Sequence, residues 1–415
     1  MEVGEEMQFE QGNNLPRVKA TNRSAILQMV YHCGPITRAD IAKRLDLTLP
    51  TITTNINTML TAGLVQELDC PESADRRHGR RSRLLDIVPG ARHFIGVEMT
   101  GSESAACLID YRGQVLGRRA SPAPSRDYED DLDAACALVQ ELLEELRLTF
   151  ADVDGLGFCV PGLVDSRTGI LKVRPSFNWY DKPILRDVGQ RLGAGCPITV
   201  ENNACARAYG ASLFQRELLD SVPTFAYLFI HAGIACPLIL NTSNAFGSIV
   251  GSGEVGHMVM EPDGPQCTCG NHGCLEAISS DNAIIARCMD ALARGHAPIL
   301  RALCPVGEEP SMAHVLQAQQ EGDADVRRIV ERAVYTLGVA IANIDNFTCP
   351  HAMLIEGKLF CCEDNRRRLL DVVRHNICNL QRADTDFVFV EPDQFSGAQG
   401  AAAVAIFHDL QLGAE

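Results

Sequence analysis

No run in the 415-residue chain reaches the ~18 uninterrupted apolar residues that a membrane-crossing helix requires. The amino-terminal stretch MEVGEEMQFEQGNN lacks the basic and apolar segments of a secretory leader, so a cytoplasmic chain with no membrane partner is expected. Ligand or disulfide spacing is missing from most of the 17 cysteines. Cys107, Cys136, Cys159, Cys205 and Cys236 each fall singly in apolar runs, the pattern of reduced, buried thiols and not of a disulfide framework. Positive charge is also scarce, with 37 Lys and Arg against 53 Asp and Glu and a formal net charge of −16. Spread evenly, that surplus would exclude nucleic acid as a partner. What is present is a hydrophobic content of 46% with 22% charged residues, which at this length predicts two or three packed domains.

The charge is not spread evenly. Residues 1–90 carry 11 basic and 11 acidic side chains, so the whole acidic surplus lies beyond them. Within that neutral part, RRHGRRSR at 76–83 holds five arginines and no acid. Residues 1–15 read as a disordered acidic terminus and 16–90 as a small domain. Ile26, Leu27 and Val30 recur at helical spacing until Gly34-Pro35 stops the helix. Thr37 is placed to cap a second, short helix whose inner face is Ile41, Ala42 and Leu45, with Asp40 three residues on. Pro50 falls in the first turn of a third helix, 49–62, where its missing N–H costs nothing. Ile52, Ile56, Met59 and Leu60 form its inner stripe; Thr51, Thr53, Thr54, Asn55 and Thr58 supply small hydroxyl and amide groups for base edges. GLVQELD and RRSRLLDIV then read as the strands of a wing. Arg76, Arg77, Arg80, Arg81 and Arg83 at its tip would meet phosphates or a minor groove. Together these predict a winged helix-turn-helix; a three-helix packing module with a solvated arginine loop is the competing use of the same pattern.

From residue 91 onward the chain predicts an α/β body. Residues 93–120 read as two alternating strands with a turn at Arg112-Gly113, followed by a helix at about 129–148 and a further strand at 153–165. The strand–turn–strand pattern restarts near 225, helices fill 279–295 and 323–346, and HAMLIEG is another strand. Strand pairs followed by helices, occurring twice, suggest two similar lobes with a cleft between them. They are placed at 91–205, with a returning small-residue helix at 395–412, and at 206–394. CTCGNHGC, residues 267–274, is the one stretch with ligand spacing. Cys267, Cys269 and Cys274 offer three thiolates and leave one tetrahedral position for a nitrogen. His257, ten residues upstream, is the natural fourth ligand, and His272 lies between tight glycine turns. A closed Cys₃His site would be structural; a free-thiol loop or a redox switch are the other uses of such a cluster.

GEVGHM followed by CTCGNHGCLEA resembles the signature of the ROK family of repressors, open reading frames and sugar kinases. VPGLVDSRTGIL at 160–171, FNWYDKPI at 177–184, VENNACARAYGA at 200–211 and LGVAIANIDNFTCPHAMLIEG at 337–357 extend the resemblance over most of 93–410. It implies a two-lobed actin/hexokinase-like (ribonuclease H-like) body with a zinc loop at 257–276. In that body His257, Cys267, Cys269 and Cys274 would hold a structural Zn(2+). Asn202, Asn203, Glu254, His257 and Glu276 would bind a sugar or sugar phosphate.

The kinase branch of the family takes a base from E-N-D-A, where this chain has Glu201-Asn202-Asn203-Ala204; an amide cannot accept a proton at neutral pH. Its D-x-G-G-T phosphate loop is here Glu98-Met99-Thr100-Gly101-Ser102, and its G-x-G-I-G-x-G loop is His231-Ala232-Gly233-Ile234-Ala235-Cys236-Pro237. No catalytic residue is therefore assigned. The chain is expected to be a transcriptional regulator, a repressor of carbohydrate metabolism. It should bind a palindromic operator as a homodimer or dimer of dimers and respond to a sugar effector. The alternatives are a hexose kinase using ATP, or a non-catalytic ROK body regulated by docking of a sugar-transport protein.

Overall fold

The computed structural model describes residues 15–69, 83–122, 126–219, 222–240, 250–304, 308–378 and 384–413. The chain divides into two compact units. The first comprises residues 1–93 with the short segment 110–114 and the carboxy-terminal 406–415; the second comprises 94–109 and 115–405.

The first unit opens with α1 (Leu15–Cys33), β1 (Ile36–Thr37), α2 (Arg38–Leu45), α3 (Leu49–Thr61), β2 (Val65–Leu68) and β3 (Leu84–Ile87). The start signals read in the sequence operate as expected. Thr37 Oγ1 accepts from Asp40 N at 3.1 Å, Thr48 Oγ1 accepts from Thr51 N at 3.4 Å, and Pro50 stands in the first turn of α3. Ile26, Leu27, Val30, Ile41, Ile52, Ile56 and Met59 are all fully buried, whereas Leu60 is only half-buried because it falls at the flank of the stripe. The wing is a three-stranded antiparallel sheet in the order β1-β3-β2. Arg76, Arg77, Arg80 and Arg81 lie outside the described residues, as do residues 1–14 of the expected disordered terminus.

The other segments of this unit make a polar joint with α1 and β3. Arg112 pairs with Asp86, donates to Tyr31 O at 2.6 Å and lies 5.0 Å from the centre of the Tyr31 ring. Asp409 pairs with Arg92 and accepts from Tyr111 Oη at 2.6 Å, and Ser24 Oγ donates to Leu410 O at 2.9 Å.

The second unit begins with β4 (His93–Met99), β5 (Glu103–Asp110), β6 (Val115–Pro122), α4 (Tyr128–Leu146) and β7 (Gly155–Val160). The small sheet β8 (Leu163–Asp165), β9 (Ile170–Arg174) and β10 (Trp179–Lys182) follows, then α5 (Ile184–Leu192), β11 (Ile198–Asn202), α6 (Asn203–Phe214) and α7 (Arg216–Leu219). A second α/β half holds β12 (Thr224–Ile230), β13 (Ile234–Ala235), β14 (Leu238–Leu240), α8 (Leu275–Ser279) and α9 (Asp281–Ala293). It continues with α10 (Pro298–Leu303), α11 (Met312–Glu321), α12 (Ala324–Thr348), β15 (Ala352–Gly357), α13 (Glu363–Asn376), β16 (Asp386–Val390) and α14 (Ser396–Leu412). The two large sheets run β11-β7-β4-β5-β6 and β13-β12-β15-β16, with β14 on β12. In both, parallel central strands carry near-continuous apolar runs covered by helices on their faces.

The two strands expected over 93–120 are in fact three, because Thr100-Gly101-Ser102 turns the chain and Gly101 sits at φ +79°. The returning helix does pack on the first sheet. A Cβ on Gly96 would lie 1.8 Å from Ala398 O, and one on Gly157 1.8 Å from Ala401 O. Among the described residues, no helix is long and apolar enough to cross a membrane.

Candidate sugar and metal site

The cysteine loop closes on itself. Cys267 N donates to Asn271 O at 2.8 Å and Gly273 N to Pro265 O at 2.8 Å, and isolated bridges join Val259 to Cys274 and Gln266 to His272. Gly273, at φ +68°, admits no side chain, since a Cβ there would meet Glu261 O at 1.4 Å. The fold brings His257, Cys267, Cys269 and Cys274 together with one ligand atom each, all within 4.8 Å of one another. Cys267 Sγ lies 3.7 Å from His257 Nδ1, and Cys269 Sγ 3.7 Å from Cys274 Sγ. Zinc–sulfur bonds of ~2.3 Å at tetrahedral angles separate ligands by about 3.8 Å, so the donor set fits that ion. His272 is exposed and stays outside the cluster.

Glu276, on α8 directly after Cys274, accepts from Ile234 N at 3.2 Å, and Thr268 Oγ1 lies 3.5 Å from its other oxygen. It rests over Gly233 and Gly256, whose added Cβ atoms would approach its carboxylate at 3.1 and 3.3 Å. Glu254 opens the short turn that carries His257, with His257 N donating to Glu254 O at 3.2 Å. Asn202 is committed to the fold: its Oδ1 caps α6 by accepting from Ala204 N at 2.8 Å and Cys205 N at 3.2 Å, and its Nδ2 holds Gly162 O at 2.8 Å. Of the expected sugar contacts it is the one already spent as a helix cap.

Asn203 Nδ2 donates to Glu98 Oε1 at 3.3 Å. Glu98 is itself held by Arg207 in a bidentate pair of 2.7 and 2.9 Å, and Arg207 Nε lies 3.4 Å from Glu356. Glu356 accepts from Tyr227 Oη at 2.6 Å, and the guanidinium lies 4.2 Å from the centre of the Phe229 ring. All three charged groups are buried. Burial alone would lower the Arg207 pKa, but the carboxylates of Glu98 and Glu356 outweigh it and hold the pKa above the ordinary arginine value. Burial pushes the Glu356 carboxyl up while Arg207 and Tyr227 pull it down.

Both glycine-poor loops donate several of their amides within the protein. Thr100 Oγ1 accepts from Ser102 N and Glu103 N at 3.3 and 3.1 Å, while Arg174 donates to Thr100 O. Phe177 fills the space above Gly101, 2.4 Å from where a Cβ would stand. In the second loop His231 N donates to Gly233 O at 2.9 Å, Ile234 N to Glu276, and Cys236 N to Gly253 O at 2.7 Å. The sequence did not single out Arg207, Arg174, Phe177 or Glu356. The available signals were an arginine one turn after Asn203 and a glutamate inside an otherwise apolar strand.

On α3, Thr53, Thr54 and Thr58 are exposed and Thr51 and Asn55 half-buried. Thr54 Oγ1 donates to Pro50 O at 2.9 Å, Asn55 Nδ2 to Thr51 O at 2.8 Å and Thr58 Oγ1 to Thr54 O at 3.1 Å, so these donors are folded back on the helix. Arg83 pairs with Glu67 at 2.9 Å, which also holds Arg38 at 2.7 Å. Asn57, exposed beside Thr58, is a further candidate base contact that the sequence reading passed over.

Residues 94–407 match the model of the ROK family. The chain belongs to the ROK family. Residues 22–78 of this ROK protein match the model of the MarR family. It is 25% identical over 342 residues to the xylose repressor of Bacillus spizizenii, covering 82% of this chain and 83% of that protein. It is 26% identical over 351 residues to the DNA-binding transcriptional dual regulator NagC of Escherichia coli, covering 83% and 82%. The crystal structure of a ROK family transcriptional regulator described as a homolog of the E. coli MLC protein superposes with a TM-score of 0.77 at 24% identity. It spans 95% of this chain and 97% of that one. A ROK family glucokinase from Streptomyces griseus, solved with glucose and AMPPNP, gives a TM-score of 0.64 at 25% identity and covers 75% of this chain and 99% of its own. The α/β architecture, an amino-terminal MarR-like helix-turn-helix before an actin-like ROK body, is thereby established.

Proposed function

We propose that this ROK protein is a DNA-binding repressor of carbohydrate metabolism that senses a sugar or sugar derivative and does not phosphorylate it. The observation that carries this reading is the helix-turn-helix placed before a ROK body whose Glu98 is locked to Arg207. The similarity to the xylose repressor and to the transcriptional dual regulator NagC, each over more than four fifths of both chains, supports it.

In the DNA-binding module α3 enters the major groove. Thr53, Thr54 and Thr58, with Asn55 after it swings off the helix backbone, read base edges, and the arginines of the wing neutralise phosphates. A palindromic operator calls for two copies, so the working form is a homodimer or a dimer of dimers. In the body, Glu254, Glu276 and Asn203 accept or donate hydrogen bonds to sugar hydroxyls, and His257 presents its second ring nitrogen. Zinc held by His257, Cys267, Cys269 and Cys274 would be structural: four protein donors leave no position for water, and the ion fixes the loop from which Glu276 projects.

Phosphoryl transfer rests on positioning and electrostatics, and here both are missing. Asn203 cannot take a hydroxyl proton, Arg207 neutralises Glu98, and several amides of both loops are already donated within the protein. Effector binding acts through whatever difference in affinity it has for the DNA-competent and DNA-incompetent states.

The test is a mobility-shift assay of purified protein with the DNA upstream of its own gene, over a salt series and a panel of sugars and sugar phosphates. Expected are a shifted band that weakens steeply with salt and a response to at least one sugar. No shift at low salt, with wing arginines intact, would overturn the reading. In Cys269→Ser, bound zinc and the sugar response should be lost before DNA binding is.

A further inference from the structure

Between α9 and the first turns of α12 lies a pocket of about 250 Å³ whose polar wall is Arg287, Arg294, Arg328, His296, Asp290 and Asp325. Three guanidiniums in one concavity are unexpected in a chain with a net charge of −16. Their acids neutralise them only in part. Asp325 is fully engaged, accepting from Arg328 at 2.7 Å and from Ala297 N at 3.1 Å, with His296 Nδ1 at 3.6 Å. Among the described residues, no carboxylate pairs with Arg287 or Arg294. Arg287 is half-buried and donates only to the carbonyls of Ile278 at 2.6 Å and Ala277 at 3.4 Å. Burial, and then the like charge of Arg332, lower its pKa, and Glu261, itself paired with Arg332, offsets them only in part.

We propose that this pocket binds the phosphate group of a small phosphorylated metabolite. A planar guanidinium fork matches phosphate oxygens two at a time, and a phosphate anion offsets the one positive charge by which the three arginines exceed Asp290 and Asp325. The volume lies below the ~300–1,000 Å³ of common ligand sites, which excludes a nucleotide. Arg287 also ties the pocket to the carbonyl end of α8, the helix that bears Glu276. An anion drawing on Arg287 therefore stiffens or releases that helix. This coupling rests on the sugar reading of Glu276, whereas binding itself does not.

The experiment is calorimetric titration of the full chain with inorganic phosphate, at constant ionic strength with acetate as the replaced anion. Hydrogen exchange at 275–279 is followed in parallel. Saturable binding is expected, at least tenfold weaker in Arg294→Glu and in Arg328→Gln, both of which alter exposed side chains. Exchange at 275–279 should change on saturation. Glu276→Gln should bind phosphate as the parent does, so a failed sugar site is not mistaken for a failed anion site. Absence of saturation, equal binding of acetate, or unchanged affinity in both arginine variants would overturn the proposal; unchanged exchange on saturation would overturn the coupling to α8.

Discussion

Replacing Arg207 by Met would strand Glu98 and Glu356 in the interior without their shared counter-charge. Removing one partner of a buried ionic group costs ~3–5 kcal/mol, and urea unfolding should register a loss of that order. The same arrangement predicts the outcome of restoring the missing base. Asn203→Asp should show no sugar-dependent ADP release, because Glu98 would still be engaged by Arg207 and several amides of both loops would still be donated within the protein. Asp281 gives a pH prediction. It is buried, neither carboxylate oxygen has a hydrogen-bond partner, and burial raises its pKa to about 6, with Lys358 pulling the other way. A folded-state pKa above the unfolded value near ~3.9 means that its contribution is fully present below about pH 4 and lost as the pH rises through 6. Asp281→Asn should therefore be the more stable protein at pH 7.5, by up to about 3 kcal/mol at ~1.4 kcal/mol per unit. Thermal unfolding should show the advantage vanishing at pH 4.

For the recognition helix, the relevant quantity is its first turn. Thr48 supplies the cap of α3, and a threonine cap contributes ~1 kcal/mol. Thr48→Ala should speed amide exchange in α3 and weaken operator binding, with exchange in α12 unchanged. Elements of this kind are legible because their signals are local: a capping hydroxyl, a proline in the first turn, a stripe at period 3.6. The cluster of His257, Cys267, Cys269 and Cys274 is legible for the same reason, since its four donors fall within 18 positions. The split of 93–110 into β4 and β5 escaped notice because the apolar alternation continues on both sides of Thr100-Gly101-Ser102. The Glu98–Arg207 pair could not be read at all, as its members stand 109 positions apart and meet only once α6 has packed against β7, β11 and β12. Thr53, Thr54 and Thr58 on α3 are exposed as the pattern implies, but Thr51 is half-buried, and the pattern does not show that the free helix absorbs several of these hydroxyls.

At the scale of the molecule, α14 contributes its first part to one compact unit and its last residues to the other. In the first unit Asp409 gathers Arg92 and Tyr111, so Asp409→Ala should cost ~1–3 kcal/mol by removing the carboxylate that both of them share. Limited proteolysis of residues 15–90 should accelerate accordingly. In the second unit the close fit of α14 on Gly96 and Gly157 has a consequence for biosynthesis. Gly96 precedes Ala398, and Gly157 precedes Ala401, by roughly 300 and 240 residues respectively, so both leave the ribosome long before the helix that covers them. Contacts of such separation form slowly and close a long loop. Until synthesis has passed residue 405, the nascent chain must carry a bare face of its first sheet, and this is the interval in which it is most dependent on chaperones.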